Sequence, residues 1–243
     1  MKHHPLTPVL PLAVAACAVC FQTVGFSKTP ASKKAAASES AKPAGTPAPE
    51  KVASTVVYEQ NFEAMGEGPV SKEFLPLAGE FLVVVEDGNR LLELPGAPLD
   101  TFGALFGPSS GVPGALQGRF YGTKTGRKYP TFGLSLRGAG GYRLQVSPGK
   151  GQLEIYKGDD PIAGVPFTWQ SGTWTWLKLD VRKTGDSGWV IEGRAWAQGE
   201  NAPADPLVRH EVAGEITAGR AALWGSPYSG TPIRFDDLRW TTP

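Results

Sequence analysis

Few side chains in this sequence can do chemistry by the familiar routes. Of its three histidines, His3 and His4 lie at the extreme N-terminus, so His210 is the only one beyond it. Both cysteines, Cys17 and Cys20, fall in the first twenty residues. A zinc site built on His and Cys, or a Cys–His nucleophilic pair, cannot be assembled from these. His210 follows Arg209 on an expected strand, with Glu211 on the opposite face and no nucleophile beside it, and reads as an edge or surface residue. No Gly-rich phosphate loop stands between a strand and a helix.

What the sequence offers instead is planar polar groups interleaved with aromatic rings. Gln117, Arg119 and Tyr121 alternate with Leu116, Gly118 and Phe120; Arg137 follows Phe132, Leu134 and Leu136 in the opposite phase. Arg143 and Gln145 alternate with Tyr142, Leu144 and Val146, and Trp174 and Trp176 with Thr175, Leu177 and Leu179. If the second member of each set faces a core, the first faces outward. Arg, Gln and flat aromatics together suit sugars: hydroxyls need planar donors and acceptors, and the C–H face of a pyranose stacks on a ring. The same residue types also fit any pleated, half-buried surface, and outward arginines keep a sheet soluble. Should the strands be neighbours in one sheet, all eight side chains converge on a single concave surface.

The elements that must position them are strands. After Gly66 the longest stretch free of Gly and Pro is 173–184, and it alternates with period two. Similar alternation marks 116–121, 132–137 and 142–146. Further strands are expected at 55–62, 81–86, 89–94, 101–106, 151–157, 189–197, 207–212, 219–224 and 233–240. Turn signals separate them, among them Asp87-Gly88-Asn89, Ser147-Pro148-Gly149 and Gly158-Asp159-Asp160. No internal repeat is visible. Short strands at this spacing predict an all-β fold of two packed antiparallel sheets rather than βαβ units.

The first 54 residues have a different composition. A basic start containing Lys2, an apolar run from Val9 to Phe21, and small residues Gly25 and Ser27 read as a signal peptide, 1–27. Two alternatives stay open: a lipoprotein signal, because Val14-Ala15-Ala16-Cys17 resembles a lipobox, and an uncleaved anchor, for which the apolar run is short. The destination is therefore secreted or cell-envelope, and the membrane is met only through the N-terminus. Residues 28–54 are Ala, Lys, Ser and Pro with almost no large apolar side chain, and read as a disordered linker. The third segment, 55–243, carries 18 basic against 21 acidic residues, a net of −3. That balance disfavours nucleic acid, although a local basic patch remains open.

Several segments resemble one family. Tyr58-Glu-Gln-Asn-Phe-Glu63 with Gly68-Pro69 looks like the first strand of secreted concanavalin A-like lectin/glucanase domains, and Gly79 to Val85 with Asn89 to Leu92 like the pair that follows. Gly172 to Val181 is similar to their Trp-bearing strand, Gly219 to Trp224 to the penultimate one, and Ile233 to Trp240 to the last, which pairs back with the first. The likeness covers 55–243 and implies a jelly-roll sandwich. The laminarin-cleaving enzymes of that superfamily carry Glu-x-Asp-x-x-Glu on one strand, and the signature is absent here: two places after Glu154 stands Tyr156 rather than Asp, and two places after Glu192 stands Arg194. The glucanase-type relatives also imply a structural calcium held by an Asp of the last strand. Asp236 takes that place, with Asn61 and Glu63 as further oxygens, while a charged edge strand is the plainer meaning of Asp236-Asp237.

The resemblance and the outward side chains together give a secreted, non-catalytic, carbohydrate-binding module whose partner is a glycan. A glycoside hydrolase or polysaccharide lyase with another site, and a protein-contacting adhesion or scaffold module, remain as alternatives. Because 28–54 has no core residues, its deletion is expected to leave the Tm of the folded domain unchanged by calorimetry. A loss of several degrees would show that the segment docks.

Overall fold

The computed structural model describes residues 54–97 and 100–243. The expected signal peptide and all of the expected linker except Ser54 lie outside the described residues. Among the described residues there are sixteen strands: β1 (Thr55–Gln60), β2 (Gly68–Pro69), β3 (Leu75–Ala78), β4 (Leu82–Glu86), β5 (Asn89–Leu94), β6 (Phe102–Ser110), β7 (Gly114–Tyr121) and β8 (Thr131–Leu136). There follow β9 (Tyr142–Ser147), β10 (Gln152–Lys157), β11 (Asp160–Pro166), β12 (Thr175–Thr184), β13 (Gly188–Ala197), β14 (Val208–Ala213), β15 (Gly219–Ser226) and β16 (Ile233–Thr242). No helix occurs among the described residues.

Two antiparallel sheets result. Sheet A runs β14-β13-β12-β7-β16-β5-β4-β2, with β1 also paired to β16; sheet B runs β11-β10-β9-β8-β15-β6-β3. The two ends of the domain meet as expected, Glu59 opposite Arg239 and Gln60 opposite Leu238. Asp87 and Gly88, both at positive φ, close the tight β4–β5 hairpin, the geometry an Asp-Gly pair suits. β11 was not expected, because Pro161, Gly164 and Pro166 argue against a strand. As the edge of sheet B it needs only one ladder, and the prolines are tolerated there. Its first residue is Asp160, which the sequence placed in a turn.

Alternate residues of each sheet fill the space between them. Phe120 from sheet A stacks on Phe132 from sheet B at 5.5 Å and 12°, and meets Phe235 edge-on at 5.5 Å. Leu177, Leu179 and Val181 of β12 are buried beside Leu134 and Leu144 of sheet B. The sheets close on each other where side chains are missing: a Cβ on Gly193 of β13 would collide with the Leu144 side chain arriving from sheet B. In β16 the alternation changes phase. Asp237 adopts φ 51° in a bulge between Asp236 and Arg239, so Phe235, Leu238 and Trp240 are all buried.

Tyr58 of β1 packs against Phe106 at 5.3 Å with its hydroxyl buried and unpartnered among the described residues. Burial, reinforced by the charge of Glu73, pushes its pKa from 10.0 up to about 12. The folded state therefore holds a proton that the unfolded chain releases. That contribution is complete below pH 10 and is lost as pH rises toward about 12. Urea unfolding across this window is expected to show falling stability in the native sequence and a flatter profile in Tyr58→Phe.

Candidate functional site

The eight expected ligand residues do not share a surface. Gln117, Arg119 and Tyr121 lie on β7 and Trp176 on β12, with Trp174 just before it, all in sheet A. Arg143 and Gln145 lie on β9 of sheet B, and Arg137 directly follows β8. The outward faces of two packed sheets point away from each other, so the expected convergence fails. The alternation within each strand was right. What it could not supply was which strands become neighbours.

On the outer face of sheet A the side chains satisfy one another. Trp196, Trp176, Arg119 and Asp236 form one row across four strands. Trp176 stacks on Trp196 at 6.1 Å and 10°, and its Nε1 donates to Gln198 Oε1 at 2.7 Å. The Arg119 guanidinium lies 4.7 Å over Trp174, whose ring packs against Tyr121 at 5.6 Å. Arg119 also pairs with Asp236 at 2.7 Å and Asp237 at 2.8 Å. Further along, Asp180 holds Arg194 and Lys178, Glu192 holds Arg182 and Arg209, and Arg234 bridges Glu86 and Glu93. His210 sits on β14, at the edge of this sheet.

The residues expected around calcium do not fit that ion. Asp236 is 1 % exposed, and its oxygens accept hydrogen bonds from Asn89 Nδ2 at 2.9 Å, Arg119 Nη2 at 2.7 Å and the Asp237 amide at 2.7 Å. Burial raises its pKa despite these donors. Asn61 Oδ1 accepts from the Glu63 amide, and Glu63 Oε1 from the Arg90 amide. A guanidinium already stands where a cation would coordinate Asp236, and calcium wants six to eight oxygens at once. Among the described residues no three His, Cys, Asp or Glu side chains gather as a metal site.

The outer face of sheet B is differently built. The register sets two rows across β15, β8, β9 and β10: Ala222, Ser135, Arg143, Tyr156; then Trp224, Gly133, Gln145, Glu154; beyond them Ser226 pairs with Thr131 and Ser147 with Gln152. With strands about 4.8 Å apart, the rows span about 14 Å, enough for two or three sugar rings. Gly133 leaves the middle of the floor bare, and a Cβ there would collide with the Leu144 carbonyl oxygen. One end of the rows opens into a cleft of about 200 Å³ lined by Gln145, Ser147, Thr131, Lys150, Tyr129 and Tyr228, among others. Beyond Tyr129 a second cleft of about 310 Å³ runs past Lys124 to Phe167 and Trp169.

Polar groups on this face are held in place. Lys150 Nζ donates to Glu154 Oε1 at 2.9 Å and to the Tyr156 hydroxyl at 3.1 Å, which itself donates to Glu154 Oε2 at 3.1 Å. Burial alone would raise the Glu154 pKa, but hydrogen bonds from Ser147, Lys150 and Tyr156 outweigh it and hold the carboxyl below its ordinary value. Trp224 Nε1 donates to Ser135 Oγ at 2.9 Å, and its ring lies over Gly103. Arg143 lies between Tyr156 at 4.7 Å and Trp224 at 5.1 Å. Arg137 plays another part: at φ 79° it turns its guanidinium onto the carbonyls of Ser110 and Val112 and ties the end of β8 to the β6–β7 turn.

Of the expected residues, this face therefore keeps Arg143 and Gln145. It adds Glu154, Tyr156, Lys150, Trp224, Tyr129 and Tyr228, which the sequence reading did not join to them. The alternation of Glu154 and Tyr156 with Leu153 and Ile155, and of Trp224 with Leu223, was a usable signal for three of these.

No family model matches the chain, and no curated protein matches its sequence. Solved structures do match its shape. The marine PL-14 alginate lyase from Aplysia kurodai superposes with a TM-score of 0.50 at 13% identity, covering 78% of this chain and 100% of that one. The carbohydrate-binding module CBM66 from Bacillus subtilis gives 0.47 at 13% identity over 70% and 96%. A Bacillus subtilis protein of unknown function with a galectin-like fold gives 0.47 at 10% over 76% and 99%. The fold is a two-sheet antiparallel jelly-roll sandwich, the architecture that the resemblance implied.

Adding calcium or EDTA is expected to leave the Tm unchanged by differential scanning calorimetry. Arg119→Ala, which leaves Asp236 buried and unpaired, is expected to cost about 3–5 kcal/mol. A calcium-dependent rise in Tm would restore the metal site.

Proposed function

We propose that this chain is a lectin-like, glycan-binding module whose ligand lies along the outer face of sheet B. One observation carries the reading: Trp224, Gln145 and Glu154 share a row across the sheet, with a bare glycine between the first two, and the row adjoins a cleft walled by Tyr129 and Tyr228. A sugar ring laid over Gly133 would meet an indole on one side and a carboxamide on the other. The cleft floor adds the hydroxyls of Ser147 and Thr131. Aromatic walls with a few fixed polar groups are the usual build of a small-molecule site. The sheet A face supports the reading less well, because its aromatics and ions are already engaged with each other.

Binding fits the geometry better than paired-carboxylate hydrolysis. Glu154 is occupied by Lys150 and Tyr156, and no Asp or Glu lines either cleft among the described residues. In this reading the module works outside the cytoplasm, secreted or attached to the envelope through its N-terminal segment.

Isothermal titration of the full chain with a panel of neutral and acidic oligosaccharides tests it. Trp224→Ala and Gln145→Ala are each expected to weaken binding about tenfold or more, the scale of an anchoring side chain. Trp176→Ala, on the opposite face, is expected to retain affinity within about twofold, with melting curves confirming that each variant is folded. Loss of binding in Trp176→Ala alone would move the site to sheet A.

A further inference from the structure

The structure assigns a charge to the ligand as well: we propose that the outer face of sheet B selects an acidic glycan, one carrying carboxylate or sulfate on its rings, with Arg143 as the residue that determines this preference. The inference rests on the glycan-binding reading above and extends it to the class of sugar.

Its first support is the state of Arg143. The residue is 6 % exposed, yet no hydrogen bond or ion pair to it occurs among the described residues, and its Nε is buried without a partner. Arginine stays protonated in proteins, so this is a buried cation with no counter-ion. Burial presses its pKa downward; the charges of Asp159 and Glu154 reach it, but neither forms an ion pair with it. Burying a charge is costly unless it is paired. The rings of Tyr156 and Trp224 offset part of that penalty. They also hold the guanidinium with its planar faces covered, which leaves its N–H edge for a ligand. An oxyanion accepting two N–H bonds in the plane would complete the site.

The opposite sheet shows that the chain can pair its outward cations. Arg119, Lys178, Arg182, Arg194, Arg209, Arg234 and Arg239 all belong to ion pairs on sheet A. On sheet B the carboxylate of Glu154, one strand away from Arg143, is taken by Lys150 and the Tyr156 hydroxyl instead. Arg143 is left open by the arrangement of its neighbours.

The rim has the same sign. Lys124, Arg127 and Lys128 are exposed on the loop between β7 and β8, and none of the three is ion-paired among the described residues. Arg127 lines the smaller cleft, Lys124 lines the larger, and Lys128 lies 5.6 Å over the Tyr228 ring. Segment 55–243 is net negative by three, so this gathering of unpaired cations runs against the average of the domain. Such a local field would draw in a polyanion and give binding a steep dependence on salt.

The test is titration of the full chain at low and at physiological salt against three oligosaccharides of similar length: an oligogalacturonate, a sulfated dextran oligomer and a neutral β-glucan, with a single-stranded oligonucleotide as a fourth arm. One or both acidic sugars are expected to bind about tenfold tighter than the neutral one at physiological salt. Which of them does so separates carboxylate from sulfate. Arg143→Gln is expected to bring the acidic-to-neutral ratio close to one, and Arg143→Lys to recover part of it. The exposed double variant R127Q/K128Q, which does not touch the core, is expected to flatten the salt dependence, so the proposal stays testable even if Arg143→Gln unfolds. Equal affinity for acidic and neutral sugars, or an unchanged ratio in Arg143→Gln, overturns the acidic preference while glycan binding stands. Binding of no sugar overturns both readings. Tighter binding of the oligonucleotide than of any sugar overturns the glycan as the partner.

Discussion

Everything in this fold depends on the interleaving of two sheets through one layer of apolar side chains. Phe120 is its pivot: it stacks on Phe132 across the interface and takes the edge of Phe235 within its own sheet. Each residue committed to that layer sends its neighbour outward, because a strand has period two. The outer faces are thus by-products of the core. Closeness of the sheets is set by what is absent, as at Gly193, where Leu144 of the other sheet occupies the place of a side chain. Burial on this scale holds a domain together with no disulfide among its described residues.

The two outer faces use similar residue types to different ends. On the outer face of sheet A most arginines are matched with acid, Trp176 and Trp196 stack on one another, and Trp174 lies under a guanidinium. On that face the charges and rings are largely engaged with one another. On sheet B one carboxylate is spent on a lysine and a tyrosine, and an arginine between two rings has no partner. Composition does not distinguish these outcomes. Pairing does, and pairing is decided by which side chains the strand order makes adjacent.

β16 shows how a small backbone event carries large consequences. Asp237 at positive φ inserts one extra step, so the residues on either side of it do not keep one alternation. The bulge lets Leu238 and Trp240 enter the core while Asp236, before it, is buried against Arg119 and Asn89. The carboxylate that a family resemblance marked for calcium thereby becomes the counter-ion of an arginine. A motif was present, and its chemistry was redirected by the side chain placed opposite.

The sequence by itself determined most of the strands, though not β2, β3 or β11, the inward and outward sides of most of them, and the meeting of the first strand with the last. These are local properties or follow from a resemblance that spans the domain. Leu177, Leu179 and Val181 on one side of Trp176 and Lys178 needed no partner strand to be recognised. The strand 160–166 was not legible, since its prolines are tolerated only because it lies at a sheet edge. Nor was the division of Arg119 and Arg143 between two sheets, nor the use of Arg137 as a clamp on two carbonyls. Only the tertiary structure decided these, because strand order joins residues such as Gly133 and Trp224 that are far apart in the chain. Hydrophobic periodicity fixes which way a side chain points, and non-local pairing alone fixes what it meets there.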